Sequence, residues 1–326
     1  MVADIGAHNL DARAEGPFSE PTGGAWSGPA PAASLEGLLA RIRSAFPDLA
    51  FDQAELIEEG YDHAVVVLDG RWIFRFPRKA DYLASFPVEL QLLSALKPLT
   101  AIEVPDYSRV GPDFGGYPMI QGRGLTAPLF GRMARADQER LVTDLAVFLR
   151  TLHSLSPDLL RGGDGAIRTD EGWAATDARS YRERRRPKLT EALDPGLIVR
   201  LDAAHERYVN VDWQRTAVIH GDFREAHLLL THDADRMAGI IDFGDAVHGD
   251  PAYDFTFFWG LADWAAPFAL AAYGPVADPE GVLARSRWSF IRYGASRMVL
   301  ALKDGETYDL RTLTSQVTAQ LDVLGF

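Results

Sequence analysis

Apolar residues recur at helical spacing at Leu35, Leu38, Leu39, Ile42 and Phe46, with Ser34 placed to cap the helix and Pro47 to end it. The preceding residues 1–31 are rich in Gly, Ala, Pro and Ser and show no period, as expected of a flexible leader. The pattern then becomes β-rich. Ala64–Leu68 and Trp72–Phe76 flank an Asp69-Gly70 pair, which predicts a hairpin with a loop at Gly60 ahead of it. A helix over Pro87–Leu96 carries Leu90, Leu93 and Leu96, and short strands are expected at Pro105–Val110 and Tyr117–Ile120. The glycines of Gly122–Gly124 suit a hinge.

After Ala136 the period is helical again. Leu141, Leu145, Phe148, Leu149 and Leu152 form one stripe ending near His153. Residues 156–175 read as loop, 176–211 as two helices, and 255–323 as helices rich in Phe, Trp and Ala. Between them Ile240-Ile241 reads as a short buried strand. The chain is therefore expected to be α+β, with a leader (1–31), a small β-rich lobe (32–121) and a larger helical lobe (122–326).

Composition narrows the function classes. The 326 residues are 47% hydrophobic, enough to bury a substantial core. Net charge is -13, which argues against a nucleic-acid partner. The acids concentrate where the chemistry is expected: residues 216–254 hold eight acids and two bases, while 156–219 hold eleven of each. No cysteine is present, so thiol catalysis, disulfides and thiolate metal sites are excluded. No secretion signal or membrane-length apolar run is visible, and a cytoplasmic monomer or weak dimer without membrane contact is the expectation.

The most informative segment runs from residue 220 to 254. His220-Gly221-Asp222 is followed five residues later by His227, and twenty residues after Asp222 an apolar strand delivers Asp242-Phe243-Gly244. That is the spacing of a kinase catalytic loop followed by its metal-binding loop. Phosphoryl transfer needs a hydroxyl held in line, a carboxylate to take its proton, and cations on the phosphates. Asp222 fits the first carboxylate, and Asp242 a metal ligand at a loop mouth.

These motifs resemble the aminoglycoside phosphotransferase family, which shares the two-lobed protein-kinase-like fold. His227 stands where the family usually has Asn, as it does in the aminoglycoside 2-double-prime and the macrolide phosphotransferases. The run Asp242-Phe243-Gly244-Asp245 through Asp250-Pro251-Ala252-Tyr253-Asp254-Phe255 resembles the first of these branches more closely. The resemblance implies that Asp222 is the catalytic base, that His227 and Asp242 hold Mg2+, and that Asp254 and His220 brace the loop. It implies ATP or GTP as donor, with Gly60 over the phosphates and Met119 and Ile120 at the base. Arg75 stands in the place of the kinase lysine, with Glu89 as its ion-pair partner; the Arg-hydrophobic-Pro-Arg segment is similar to the macrolide enzymes.

The acceptor expected from this resemblance is an aminoglycoside antibiotic, with Asp245, Asp263, Asp304 and Glu306 as candidate grips for ammonium groups. A macrolide or a small metabolite is the alternative acceptor. A non-catalytic nucleotide-binding module is the alternative class, because Arg75 replaces lysine. Two other features have plain structural readings. Arg182–Lys188 reads as a solvated helix face, and Trp259, Trp264, Trp288 and Tyr293 read mainly as core.

Overall fold

Asp69 and Gly70 both adopt left-handed backbone, φ 50° and 60°, and so make the tight turn that a twisted hairpin requires. In the computed structural model, which describes residues 34–57, 63–233, 236–303 and 309–326, this turn joins β2 (His63–Leu68) to β3 (Trp72–Pro77). The Asp69 carboxylate adds a second function by accepting from the backbone of Asp52 and Gln53. It thereby fixes the entry to β1 (Ala54–Ile57), which pairs antiparallel with β2. With β4 (Arg109–Val110) and β5 (Gly115–Pro118), the sheet runs β1-β2-β3-β5-β4, antiparallel throughout. The expected leader and Gly60 lie outside the described residues.

The period of two along β3 divides the labour of this sheet. Phe74 and Phe76 point to one face and pack with Leu38, Ile42 and Phe46 of α1 (Leu35–Ala45), which Ser34 caps as expected. Arg75 points to the other face. There it meets α2 (Ala80–Leu96), which begins seven residues ahead of the predicted start at Pro87. Pro87 sits within the helix, whose amide-free position is carried by the apolar packing of Val88, Leu92, Leu93 and Leu96 into the main core.

That core is built mostly from helices: α3 (Ala127–Arg132), α4 (Arg135–His153), α5 (Trp173–Ser180), α6 (Arg186–Thr190) and α7 (Pro195–Tyr208) before the motif region. After it come α8 (Ala252–Leu261), α9 (Ala265–Tyr273), α10 (Pro279–Lys303) and α11 (Leu310–Val323). The stripe predicted on α4 is buried as read, down to His153. None of the described helices is long and apolar enough to cross a membrane.

The basic run keeps its solvated reading at Arg182, Glu183 and Lys188 but departs from it at Arg185. A π-turn over Tyr181–Arg185 shifts the register between α5 and α6 and turns Arg185 inward, where it bonds Asp177 at 2.7 Å. Trp259 and Trp288 are core as expected, and Trp259 donates to Ser286 at 2.8 Å.

Two short sheets position the motif. β7 (Ala217–Ile219) pairs with β10 (Val247–Gly249), and β8 (Leu228–Leu230) pairs with β9 (Met237–Ile240). β6 (Arg123–Gly124) adds to β8, so the expected hinge segment is itself tied to the motif region. Antiparallel pairing of β8 with β9 puts the residue before one next to the residue after the other. The Ile241 amide donates to the His227 carbonyl at 3.0 Å, and Asp242 follows at once.

One buried group in α7 carries a measurable consequence. His205 Nδ1 donates to the Leu201 carbonyl at 2.8 Å, the ring stacks on Tyr181 at 3.5 Å, and Nε2 has no hydrogen-bond partner. Burial pushes this imidazole down to about 4. The unfolded chain titrates it near 6.5, so between those values only the unfolded chain binds the proton. Stability is predicted to fall as pH drops from 6.5 towards 4, by on the order of 3 kcal/mol from this residue. Urea midpoints of His205→Phe should decline less than wild type over that window; parallel declines would remove the assignment.

Candidate active site

Arg75 is the junction of the site. Its guanidinium is buried, 7% exposed, and makes four contacts from two nitrogens. Nη1 donates to Glu89 Oε1 at 2.8 Å and to the Tyr107 hydroxyl at 3.1 Å. Nη2 donates to Asp242 Oδ1 at 2.6 Å and lies 3.3 Å from His63 Nδ1. A lysine would offer one compact charge; the planar fork holds α2 and the motif region at once. The expected Arg75–Glu89 pair is present, and the contact to Asp242 joins it to the rest of the site. Burial works against the charge on Arg75, but Glu89, Tyr107 and Asp242 together raise it well above its ordinary value.

The two carboxylates respond differently. Burial raises Glu89 despite the guanidinium. The Asp242 side chain is more open, 39% exposed, and Arg75 followed by the rings of His227, His63 and His220 overcomes burial and holds it far below the usual carboxylate range. Asp242 also has φ 69°, one of two described non-glycine residues with positive φ. Holding a side chain there costs about 1–3 kcal/mol, and such strain concentrates at functional loops. Arg75 on one side and the Ile241–His227 backbone bond on the other keep it in place.

The ring tautomer of His227 follows from its partner. Nδ1 lies 2.9 Å from the Asp222 carbonyl, which can only accept, so Nδ1 carries the proton. Burial and then Arg224 lower the imidazole below its ordinary value, so the ring is neutral at pH 7. Nε2 therefore presents a lone pair 3.3 Å from Asp242 Oδ2. Two acceptors facing at that distance suit a cation between them, so the donor set fits a divalent metal. No group of three or more His, Asp or Glu among the described residues is arranged to hold a metal alone.

Asp222 lies in a turn set by Gly221, whose φ is 81° and whose Cα sits so close to the Asp245 carbonyl that a Cβ would approach it to 2.5 Å. The loop is suspended from Asp254, at the start of α8. Its carboxylate accepts from the His220 amide at 2.8 Å and the Gly221 amide at 3.1 Å, and contacts His153 Nε2 at 3.0 Å. His220 is fully buried, with Nε2 directed at the Ile241 carbonyl and Nδ1 at the Asp222 amide. Both ring nitrogens are occupied, as bracing requires.

Two residues at Asp222 escaped the sequence reading of the site. Tyr293 donates to Oδ1 at 2.9 Å, and Arg224 Nε donates to Oδ2 at 3.0 Å. Burial opposes ionisation of Asp222, but Arg224 and then His227 outweigh it and lower the carboxyl, so it is ionised at neutral pH. Arg224 stands two residues from Asp222 and was open to suspicion on proximity. Tyr293 comes from α10, 71 residues away, and no local pattern marks it.

Met119 and Ile120 follow β5 and stand apart from this polar chain. The Met119 amide donates to the Arg71 carbonyl at 2.8 Å, and Ile120 is buried against Gly239. Asp263 is exposed, and Asp304 and Glu306 lie outside the described residues.

Removing Arg75 should leave Glu89 buried without its partner, a loss of about 3–5 kcal/mol. Arg75→Ala is predicted to unfold at markedly lower urea, and Arg75→Ala with Glu89→Leu to recover part of that loss. An unchanged midpoint in Arg75→Ala would show that this junction does not hold the site together.

Comparison with known proteins places these features in context. A family model described as "Phosphotransferase enzyme family" matches residues 53–287. The uncharacterized protein YcbJ of Bacillus subtilis (strain 168) is 25% identical over 218 residues, covering 64% of this chain and 70% of its own. The GDP and kanamycin complex of APH(2")-IIia superposes with a TM-score of 0.69 at 20% identity, over 89% of this chain and 99% of that one. The macrolide 2'-phosphotransferase MphH from Brachybacterium faecium gives 0.56 at 23% identity, over 87% and 97%. At these identities the solved structures establish the shared α+β two-lobed, kinase-like fold. The family match covers most of the chain and includes every charged residue of the site: this chain belongs to the phosphotransferase enzyme family and is a small-molecule phosphotransferase.

Proposed function

We propose that this chain transfers the γ-phosphoryl group of ATP or GTP to a hydroxyl of a small molecule bound beside Asp222. The observation that carries the reading is the convergence of Asp222, His227 and Asp242 at one loop mouth, tied to the nucleotide-side lobe through Arg75. GDP in the kanamycin complex and ADP in the APH(2'')-Ib structure occupy proteins of this fold, which supports a nucleotide donor here.

In this reading Asp222 orients the acceptor hydroxyl and takes its proton. A low carboxyl pKa suits the role, because in a loose transition state the hydroxyl becomes acidic only as its bond to phosphorus forms. Tyr293 and Arg224 fix both carboxylate oxygens, so the group meets the hydroxyl without reorganising. Asp242 and His227 would hold magnesium, which when bound neutralises charge on the phosphates. Arg75 lies next to that position, where it can contact the donor's phosphates through the edge it shares with Asp242. Met119 and Ile120 are assigned to the base, and Gly60 to the phosphates, by place in the chain.

The cleft beside Asp222 is lined by Phe223, Thr256, Phe257, Ser289 and Tyr293 among others. The aminoglycoside expected from the resemblance draws support from the kanamycin and gentamicin complexes of structural neighbours. Among the described residues, the wall of the cleft contributes no ring of carboxylates to hold ammonium groups.

A mass-read screen of aminoglycosides, macrolides and small alcohols with ATP and with GTP tests the reaction. Asp222→Asn should cut turnover by about 10²–10⁴-fold with nucleotide affinity nearly unchanged. Equal turnover in that variant would sink the mechanism. Nucleotide binding without any product across the screen would instead favour a non-catalytic module.

A further inference from the structure

Ser289, Tyr293 and Arg297 recur at four-residue intervals on α10 and line the acceptor cleft, with Arg292 one step round the helix. Among the described side chains lining this cleft, Asp222 is the one carboxylate and Arg292 and Arg297 are the cations. Asp222 already receives Tyr293 and Arg224. Arg297 Nη2 donates to Glu225 Oε2 at 2.5 Å.

Arg292 differs. It is buried, and the carboxylate it meets, Asp177, is 3.4 Å from its Nη1. Arg185 holds that same carboxylate more closely, at 2.7 Å, and adds a bond to the Asp177 carbonyl. The buried trio of Arg185, Arg292 and Asp177 thus has two positive charges against one negative. The groups Arg292 meets on its other sides are the phenols of Tyr208, Tyr253 and Tyr293, which are uncharged at neutral pH because burial raises all three. A buried surplus charge is unfavourable until an opposite charge reaches it. Here the surplus borders the cleft.

We propose that the acceptor is a hydroxyl compound bearing a carboxylate, which Arg292 receives while Asp222 takes the hydroxyl. The inference rests on the phosphotransferase reading for the position of the hydroxyl. Tyr293 links the two ends: its ring lies 5.3 Å from the Arg292 guanidinium carbon, and its hydroxyl bonds Asp222. The acid and the alcohol therefore belong a few atoms apart on one small molecule. One surplus positive charge matches a carboxylate; a phosphate brings close to two negative charges and would leave one unanswered. A polycation is opposed by the same surplus. Phe223 and Phe257 across the cleft suit an apolar or aromatic body.

The test is calorimetric titration of the full chain, with magnesium and a non-hydrolysable ATP analogue, by three probes on one skeleton. These are 3-phenyllactate, 3-phenyllactamide and phenylalaninol, which share a phenyl ring and a hydroxyl and carry negative, zero and positive charge. Phenyllactate is expected to bind about tenfold more tightly than the amide, with phenylalaninol weakest. Arg292→Gln should abolish the preference for acid over amide while leaving amide affinity within about twofold. Should that variant fail to fold, Arg292→Lys must retain a reduced preference. The proposal is overturned if phenyllactate does not bind, if phenylalaninol or kanamycin binds as tightly, or if the preference survives Arg292→Gln. Nucleotide hydrolysis to water in the same preparation reads the phosphotransferase assignment separately, since it needs Asp242 and the donor but no acceptor.

Discussion

One guanidinium decides how the β-rich lobe and the motif region of this protein meet. Arg75 leaves the sheet on the face away from α1, and its fork binds Glu89 from α2 with one nitrogen and Asp242 from the motif region with the other. Neither carboxylate could be buried or held there alone without loss. The strained backbone at Asp242 depends on the same contact, because a residue with φ 69° keeps that conformation only when its surroundings over-determine it. Lysine in this place would serve one carboxylate well and the other poorly. The substitution therefore gives the junction two directed bonds where the usual residue supplies one charge.

A second frame holds the catalytic loop, and it is built from backbone amides. Asp254 receives the amides of His220 and Gly221 and contacts His153, so the end of α4, the start of α8 and the loop share one buried carboxylate. His220 then spends both ring nitrogens on Ile241 and Asp222. The consequence is a set of fixed orientations. Asp222 is presented to the cleft, its carbonyl fixes the His227 tautomer, and that tautomer turns a lone pair towards Asp242. The bonds from the backbone amides and from His227 Nδ1 each have a donor forced by chemistry, so the loop has little freedom to rearrange.

Much of this was legible in the sequence because it is local. The Asp69-Gly70 hairpin, the α4 stripe, and the spacing of Asp222, His227 and Asp242 each lie within one short window, where period and turn chemistry act directly. The Arg75–Glu89 pair spans a strand and a helix but keeps a fixed offset. What the sequence hid is non-local or context-bound. Pro87 suggested a helix start, yet tertiary packing carries the helix through it. Arg185 lay in a run that reads as solvent-facing until a π-turn rotates it inward. Tyr293 reaches Asp222 across 71 residues, and its helical neighbours give it no distinguishing pattern.

The division between legible and hidden follows the division between reaction and specificity. The groups assigned to the phosphates in the proposed reaction sit at strand ends and loops, where residues share one short window and can be read as motifs. The proposed acceptor wall includes one face of α10, a helix that also packs against α8 and α11. A helix face can change its side chains without moving its backbone, so it carries no motif. Tyr293 is where the two meet, bonded to Asp222 and bordered by Arg292 and Arg297 within cation–π distance. In the proposed reaction, charge on that face would bear on two things at once: the choice of acceptor and, through the phenol, the Asp222 carboxylate. A family with one reaction and many acceptors is what such an arrangement allows, because the choice is confined to a few positions that the reaction machinery touches through a single hydroxyl.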